Sequence, residues 1–248
     1  MSKFRKLSVF GVVAAAAAIL LAGSGCKSPS FGNEISQQQV EQIGREEAGQ
    51  IESQYPVVST GELDQPVQEI AAKIVPFARK INPDAVYRVK VIESEQVNVF
   101  SLPGGWIYVD AGLLTRLGMN TDMVAGVIAH EMAHVVLKHS MRRLSDAYGK
   151  AALVDLLTQG GYQEAAGIAI ELDLTNHPRE EEYDADHLGI NLAAEAGYDP
   201  AGILKAINTL QTPYPSLQPA EWLGTHPVTP MRLKRIEQTV REFSAGKS

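Results

Sequence analysis

Apolar residues along this chain fall mostly at helical spacing, broken once by a block of two-residue alternation. From Ile35 to about Gln54 the sequence is polar, with Ile35, Val40, Ile43, Ala48 and Ile51 forming a loose helical stripe. A second amphipathic helix is predicted over about 64–80, with Val67, Ile70, Ala71, Ile74, Val75 and Ala78 on its apolar side. Pro76 should kink that helix or mark its end. The period then changes. Tyr87, Val89 and Val91 alternate with Arg88 and Lys90, which predicts a half-buried strand. Two short strands, 97–102 and 106–109, flank Pro103-Gly104-Gly105, a turn sequence.

Helical spacing returns after Asp110, where a short helix is closed by Gly118. The run 121–140 is apolar or small at most positions and free of proline, so it predicts a buried helix capped by Asn120 or Thr121. Small-residue helices over 151–157 and 164–174 follow, separated by Gly160-Gly161; Asp155, Glu164 and Glu171 make neither a membrane span. Further helices are predicted over 178–196, stopping before Gly197, over 200–210 and over 230–243. Five prolines between 211 and 230 predict a loop. The pattern as a whole is that of an α+β fold, predominantly helical, with a small sheet.

The first 25 residues read differently. Lys3, Arg5 and Lys6 precede an apolar run from Leu7 to Ala22 and then Gly23, Ser24 and Gly25, the three-part layout of an export signal. The alternative, a transmembrane helix, needs about 20 apolar residues, and this run is shorter. Cys26, the only cysteine, follows immediately and resembles the modified cysteine of a bacterial lipobox, although Gly23 stands where leucine is usual. Lipidation of Cys26 is therefore expected, with ordinary signal cleavage as the alternative. Residues 26–33 then form a tether, and 34–248 a single domain.

The 248 residues carry a net charge of −7; without the first 25 the balance is 19 basic against 29 acidic residues, or −10. An acidic body with no basic stripe excludes nucleic acid as a natural partner.

The candidate chemistry lies in His130-Glu131-Met132-Ala133-His134, inside the apolar run. Residues four apart on a helix lie one above the other, so His130 and His134 address one point, with Glu131 beside it. That is a catalytic zinc arrangement: two nitrogen ligands on a rigid element and a carboxylate near a bound water. A third protein ligand is required. A ligand pattern with a third histidine just past the second is not met, because Leu137 replaces its glycine and Ser140 its histidine. His139 lies nine residues after His130, half a turn out of phase on a continuous helix, and is expected to face away as a structural or surface residue. Better candidates are the acids of 180–186. The pairs Glu180/Asp184 and Glu182/Asp186 each place two carboxylates on one helix face, one for the metal and one for a ligand histidine. Spacing does not choose between them.

The segment Asn98-Val99-Phe100-Ser101-Leu102-Pro103-Gly104-Gly105 resembles the Asn-Ala-Phe-Ala-Leu-Pro-Gly-Gly of the HtpX, BepA and LoiP-like zinc endopeptidases, relatives of the CAAX prenyl proteases. Val99 and Ser101 depart from that pattern. Residues 129–135 resemble the family's zinc helix. Arg179, Glu182, Ala185, Asp186 and Gly189 resemble its third-ligand helix, with Asp184 replacing a glutamate, and Thr225-His226-Pro227 with Arg232 resembles its C-terminal signature. The resemblance runs from about residue 34 and implies a gluzincin-type catalytic domain, with the sheet beside the zinc helix. It selects Glu182 as third zinc ligand and Asp186 as the partner of His130. It implies Asn98, Gly104, Gly105 and Trp106 as a substrate strand, with extended substrate adding to the edge of the 106–109 strand. It also brings in His226, which would keep the enzyme latent if it filled the open zinc position, and Arg232; either His226 or Arg232 would help the metal stabilise an oxyanion.

The implied function is a zinc-dependent endopeptidase holding one Zn²⁺. It would sit on the periplasmic side of the envelope as an outer-membrane lipoprotein and cut unfolded or misassembled envelope proteins. The alternative is a zinc-stabilised chaperone or assembly scaffold with latent protease activity.

Overall fold

A computed structural model describes residues 34–173, 175–213 and 219–246. The export signal, Cys26 and the tether lie outside the described residues. The chain folds as α1 (Gln37–Gln54), β1 (Val57–Val58), α2 (Asp64–Ile81), β2 (Arg88–Ile92), β3 (Val99–Leu102), β4 (Trp106–Asp110) and α3 (Ala111–Arg116). It continues through α4 (Thr121–Val136), α5 (His139–Tyr148), α6 (Lys150–Thr158), α7 (Tyr162–Asp173), α8 (Arg179–Glu195), α9 (Gly202–Gln211), α10 (Trp222–Thr225) and α11 (Pro230–Gly246). This is the expected helix-rich α+β class. Several details differ from expectation, and β1 and most of α5 fall where no element is predicted. The second helix runs through Pro76 to Ile81, since proline removes only one ladder donor. The proline-rich loop contains a one-turn helix, α10, too short to leave a periodic signal.

The sheet order is β1-β2-β4-β3, with β2 and β4 parallel and β3 and β4 antiparallel. The β3–β4 connection is a buried 3₁₀ turn, Pro103–Gly105, in which Gly104 takes a φ of 76° that a side chain would resist. Every residue of β4 is buried because both faces of the sheet are covered. Trp106 and Tyr108 join Ala48, Ile92 and Leu102 on the α1 side, while Ile107 and Val109 join Val89, Val91 and Val99 in the main core. The same alternation sends Ser101 to the main-core side with Val99, towards α4. A separate small core ties α1 to α5, α6 and α7 through Val40, Ile43, Met141, Leu144, Leu153, Leu157 and Ala165.

α4, which carries His130, Glu131 and His134, sits between α8, α9 and α2. It meets α8 so closely that a Cβ on Gly189 would lie 2.9 Å from the His130 backbone, and this approach lets side chains from α8 reach those of α4. The predicted helix to Ser140 breaks early. Lys138 adopts a left-handed conformation (φ 57°, ψ 38°), so α5 leaves in a new direction.

Asp110 gives a stability prediction. It is buried at the end of β4, and burial pushes its carboxyl up to about 7, with Ser94 offsetting part and Glu221 adding to the rise. The folded chain therefore binds a proton the unfolded chain has lost, and stability falls as pH rises from the unfolded value near 3.8 through about 7. At about 1.4 kcal/mol per unit the ceiling is about 4 kcal/mol. Asp110→Asn is expected to raise the melting temperature at pH 8 and leave it nearly unchanged at pH 3. Equal effects at both pH values would refute the account.

Candidate metal centre and active site

Three elements bring four donors together. α4 supplies His130 and His134, whose Nε2 atoms lie 3.1 Å apart. From α8, Glu182 places Oε1 3.4 Å from His134 Nε2 and Oε2 3.7 Å from His130 Nε2. His226, just past α10, completes the group, and one donor atom from each residue lies within 4.8 Å of all the others. All four are almost fully buried.

The donors fit a tetrahedral metal. Ligands about 2.1 Å from one centre at tetrahedral angles sit roughly 3.4 Å apart, and the three distances above bracket that value. Proton placement agrees. His130 Nδ1 faces Asp186 Oδ1 at 3.0 Å, so its proton belongs on Nδ1 and its Nε2 offers a lone pair. His226 Nδ1 lies 2.8 Å from Thr225 Oγ1 and 3.2 Å from the Trp222 carbonyl; a proton there directed at the carbonyl leaves Nε2 as an acceptor, and that atom is buried without a hydrogen-bond partner. Buried lone pairs turned on one another are costly until a cation sits among them. Glu182 supplies the charge. Burial would raise its carboxyl, but the surrounding His226, His134, His177 and His130 hold it well below the usual range. Burial lowers His134 and, further, His226, which favours the neutral imidazoles a metal needs.

Glu131 stands beside the donors. Ser101 Oγ donates to its Oε2 and Trp222 Nε1 to its Oε1, each at 3.0 Å, and His226 Nε2 lies 3.3 Å from Oε1. Burial pushes Glu131 up to about 7, partly offset by His134 and by the Trp222 and Ser101 hydrogen bonds. That value suits a general base working near neutral pH.

The model of peptidase family M48 matches residues 59–240. The chain belongs to peptidase family M48. It is 26% identical over 219 residues to the beta-barrel assembly-enhancing protease of Escherichia coli (strain K12), covering 82% of this chain and 44% of that protein. It is 30% identical over 178 residues to the mitochondrial metalloendopeptidase OMA1 of Arabidopsis thaliana, covering 65% of this chain and 35% of that protein. With the OMA1 of Schizosaccharomyces pombe it shares 27% over 177 residues, 64% of this chain and 48% of that protein. The chain thus spans less than half the length of these relatives. The buried cluster of donors is what a single zinc ion in such a family would need.

In this M48 chain the two acid pairs of α8 separate cleanly. Glu182 and Asp186 are buried at the donors, whereas Glu180 and Asp184 are exposed on the other face. The expected oxyanion role of Arg232 is not supported. Its Nε and Nη2 grip both oxygens of Asp186 at 2.7 and 2.9 Å, and Nη1 lies 2.5 Å from Glu182 Oε2 and donates to the His226 carbonyl at 3.1 Å. Every donor group is engaged, so Arg232 holds ligands and their loop in place.

The substrate-strand assignment also changes. β4 is paired on both sides, so Trp106 and its neighbours offer no edge, and the Asn98, Gly104 and Gly105 side of the hairpin is buried against the protein. Among the described residues the edge strands are β1 and β3, and β3, itself largely buried, is the one that packs on α4. Asp110 N bonds to Asn98 O, so alternation along the ladder leaves the backbone groups of Val99 and Ser101 pointing outward.

Nor does His139 face away. The break at Lys138 turns it back, and its Nδ1 lies 2.8 Å from His134 Nδ1 with the ring fully buried. Burial, His134 and the nearby Arg142 and Arg143 lower it to about 2.

Two residues escaped the sequence reading. His177 Nδ1 lies 3.1 Å from Glu182 Oε1, and its backbone N–H bonds to Thr225 O, tying the approach to α8 to the His226 loop. Trp222 stacks on His226 with ring centroids 4.7 Å apart. Neither belongs to a spacing pattern; the available signal was that both sit within five residues of a candidate ligand.

Proposed function

We propose that this chain is a zinc endopeptidase of the bacterial envelope, held latent by the His226 loop. The observation that carries the reading is the buried set His130, His134 and Glu182 with Glu131 alongside, because a purely structural metal site has no use for a base. When bound there, zinc supplies Lewis acidity and lowers the pKa of a coordinated water to about 7. Glu131 Oε1 accepts the proton as water attacks the scissile carbonyl and returns it to the leaving amine. Substrate in extended form pairs with the outward backbone groups of Val99 and Ser101, where recognition is blind to side-chain sequence.

Latency follows from burial. His226 fills the fourth donor position and, with Trp222, crowds the oxygen that must take the proton. Turnover therefore requires the α10 segment to move. His226→Ala is expected to raise casein digestion, tenfold for each roughly 1.4 kcal/mol by which the loop favours closure. A chelator should abolish the gain. Activity lost in His226→Ala would make that residue catalytic and end the latency reading.

The export-signal reading of residues 1–25 and the lipobox-like Cys26 support a periplasmic, outer-membrane-anchored site of action, with unfolded or misassembled envelope proteins as substrates. The relatives' name, beta-barrel assembly-enhancing protease, supports the same substrate class. The closed site also suits a zinc-stabilised chaperone or scaffold, which would digest no casein even in His226→Ala.

A further inference from the structure

His130 and His134 each present Nε2 to the donor cluster, yet their outer nitrogens face different partners. His130 Nδ1 meets Asp186, a carboxylate that Arg232 grips at both oxygens. A carboxylate at that distance favours a proton on the Nδ1 of His130. His134 Nδ1 instead meets the Nδ1 of another imidazole, His139, at 2.8 Å. An imidazole nitrogen can donate or accept, and one proton lies between the two nitrogens. If His139 donated, His134 would carry its proton on Nε2, aimed into the cluster 3.4 Å from Glu182 Oε1 and 3.1 Å from His130 Nε2. Such a histidine offers a metal no lone pair.

We infer that His139 is a positioning residue for the zinc site: it accepts the Nδ1 proton of His134, is itself the Nε2–H tautomer, and so selects the form of His134 that binds metal. The left-handed turn at Lys138 is what makes this possible, since on an unbroken helix His139 would lie half a turn away. The Nε2 of His139 is buried without a hydrogen-bond partner, and that orphan donor is the cost of the arrangement. The inference rests on the cluster being a zinc site and says nothing about proteolysis.

Two measurements on the full chain test it. In the zinc-loaded protein labelled with ¹⁵N-histidine, long-range ¹H–¹⁵N correlations should show protonated Nδ1 on His134 and protonated Nε2 on His139; the opposite tautomer at His139 overturns the inference. Zinc affinity is then read by chelator competition in His139→Phe and His139→Asn. Phenylalanine keeps the bulk but accepts nothing, and a ten- to hundredfold loss of affinity is expected. Asparagine places an amide oxygen near the lost Nδ1 and should recover most of that loss. Full affinity in His139→Phe, or equal losses in both variants, overturns the role. A parent chain that takes up no zinc fails differently, because it removes the zinc reading itself.

Discussion

Glu131→Gln is expected to abolish peptide hydrolysis, by a factor of roughly 10²–10⁴ in kcat, while the chain takes up zinc as before. The background is to be a freed enzyme such as His226→Ala, so that the loss is read against measurable turnover. The amide fits the site: its oxygen can accept from Trp222 Nε1 while its NH₂ donates to Ser101 Oγ, the groups now 3.0 Å from the two carboxylate oxygens. What glutamine cannot do is accept a proton from water. Stability should not suffer. Burial raises Glu131 to about 7, so the carboxylate is a cost that grows as pH climbs from the unfolded value of 4.5 through 7, and the amide relieves it at neutral pH. Metal content by elemental analysis and cleavage of a fluorogenic peptide check the two halves separately. Normal turnover in Glu131→Gln would remove the mechanism outright.

Arg232→Met should produce the largest loss of folding stability. Arg232 is buried with Asp186 and Glu182, and removing it strands the Asp186 carboxylate, whose two oxygens it grips, and takes one cationic partner from Glu182. Breaking one side of a buried ion pair costs about 3–5 kcal/mol, which for a domain of this size lowers the melting temperature by roughly 6–20 °C. Zinc affinity should fall by about 10- to 100-fold as well, because Asp186 orients His130. Arg232→Lys should not rescue it, since one ammonium cannot fork onto Asp186 while bonding the His226 carbonyl. An Arg232→Met protein as stable and as rich in zinc as the parent would show that this network does not hold the site.

These effects mark where local pattern stops and packing begins. His130, Glu131 and His134 were legible because their relation is set within one helix, whose 3.6-residue turn makes spacing equivalent to geometry. Most of the helices, the alternating strand and the Pro103–Gly105 turn were legible for the same reason; α5 and α10 were not. Glu182 and Asp186 were half legible: helical period paired them, but it paired Glu180 with Asp184 equally well. Only the close approach at Gly189 decides which pair is buried.

Residue order alone is enough to set the donor chemistry and the helix that carries it. The tertiary structure alone decided which acid reaches the histidines, which strands lie at the edges of the sheet, and what surrounds the base. It placed β4 inside the sheet and β3 at its rim. It turned His139 inward through one left-handed residue, and it brought His177, Trp222 and His226 to the cluster from segments with no regular period. One of these contacts, Trp222 with Glu131, joins residues 91 positions apart through packed faces. No periodicity records them, because each depends on where an entire element settles.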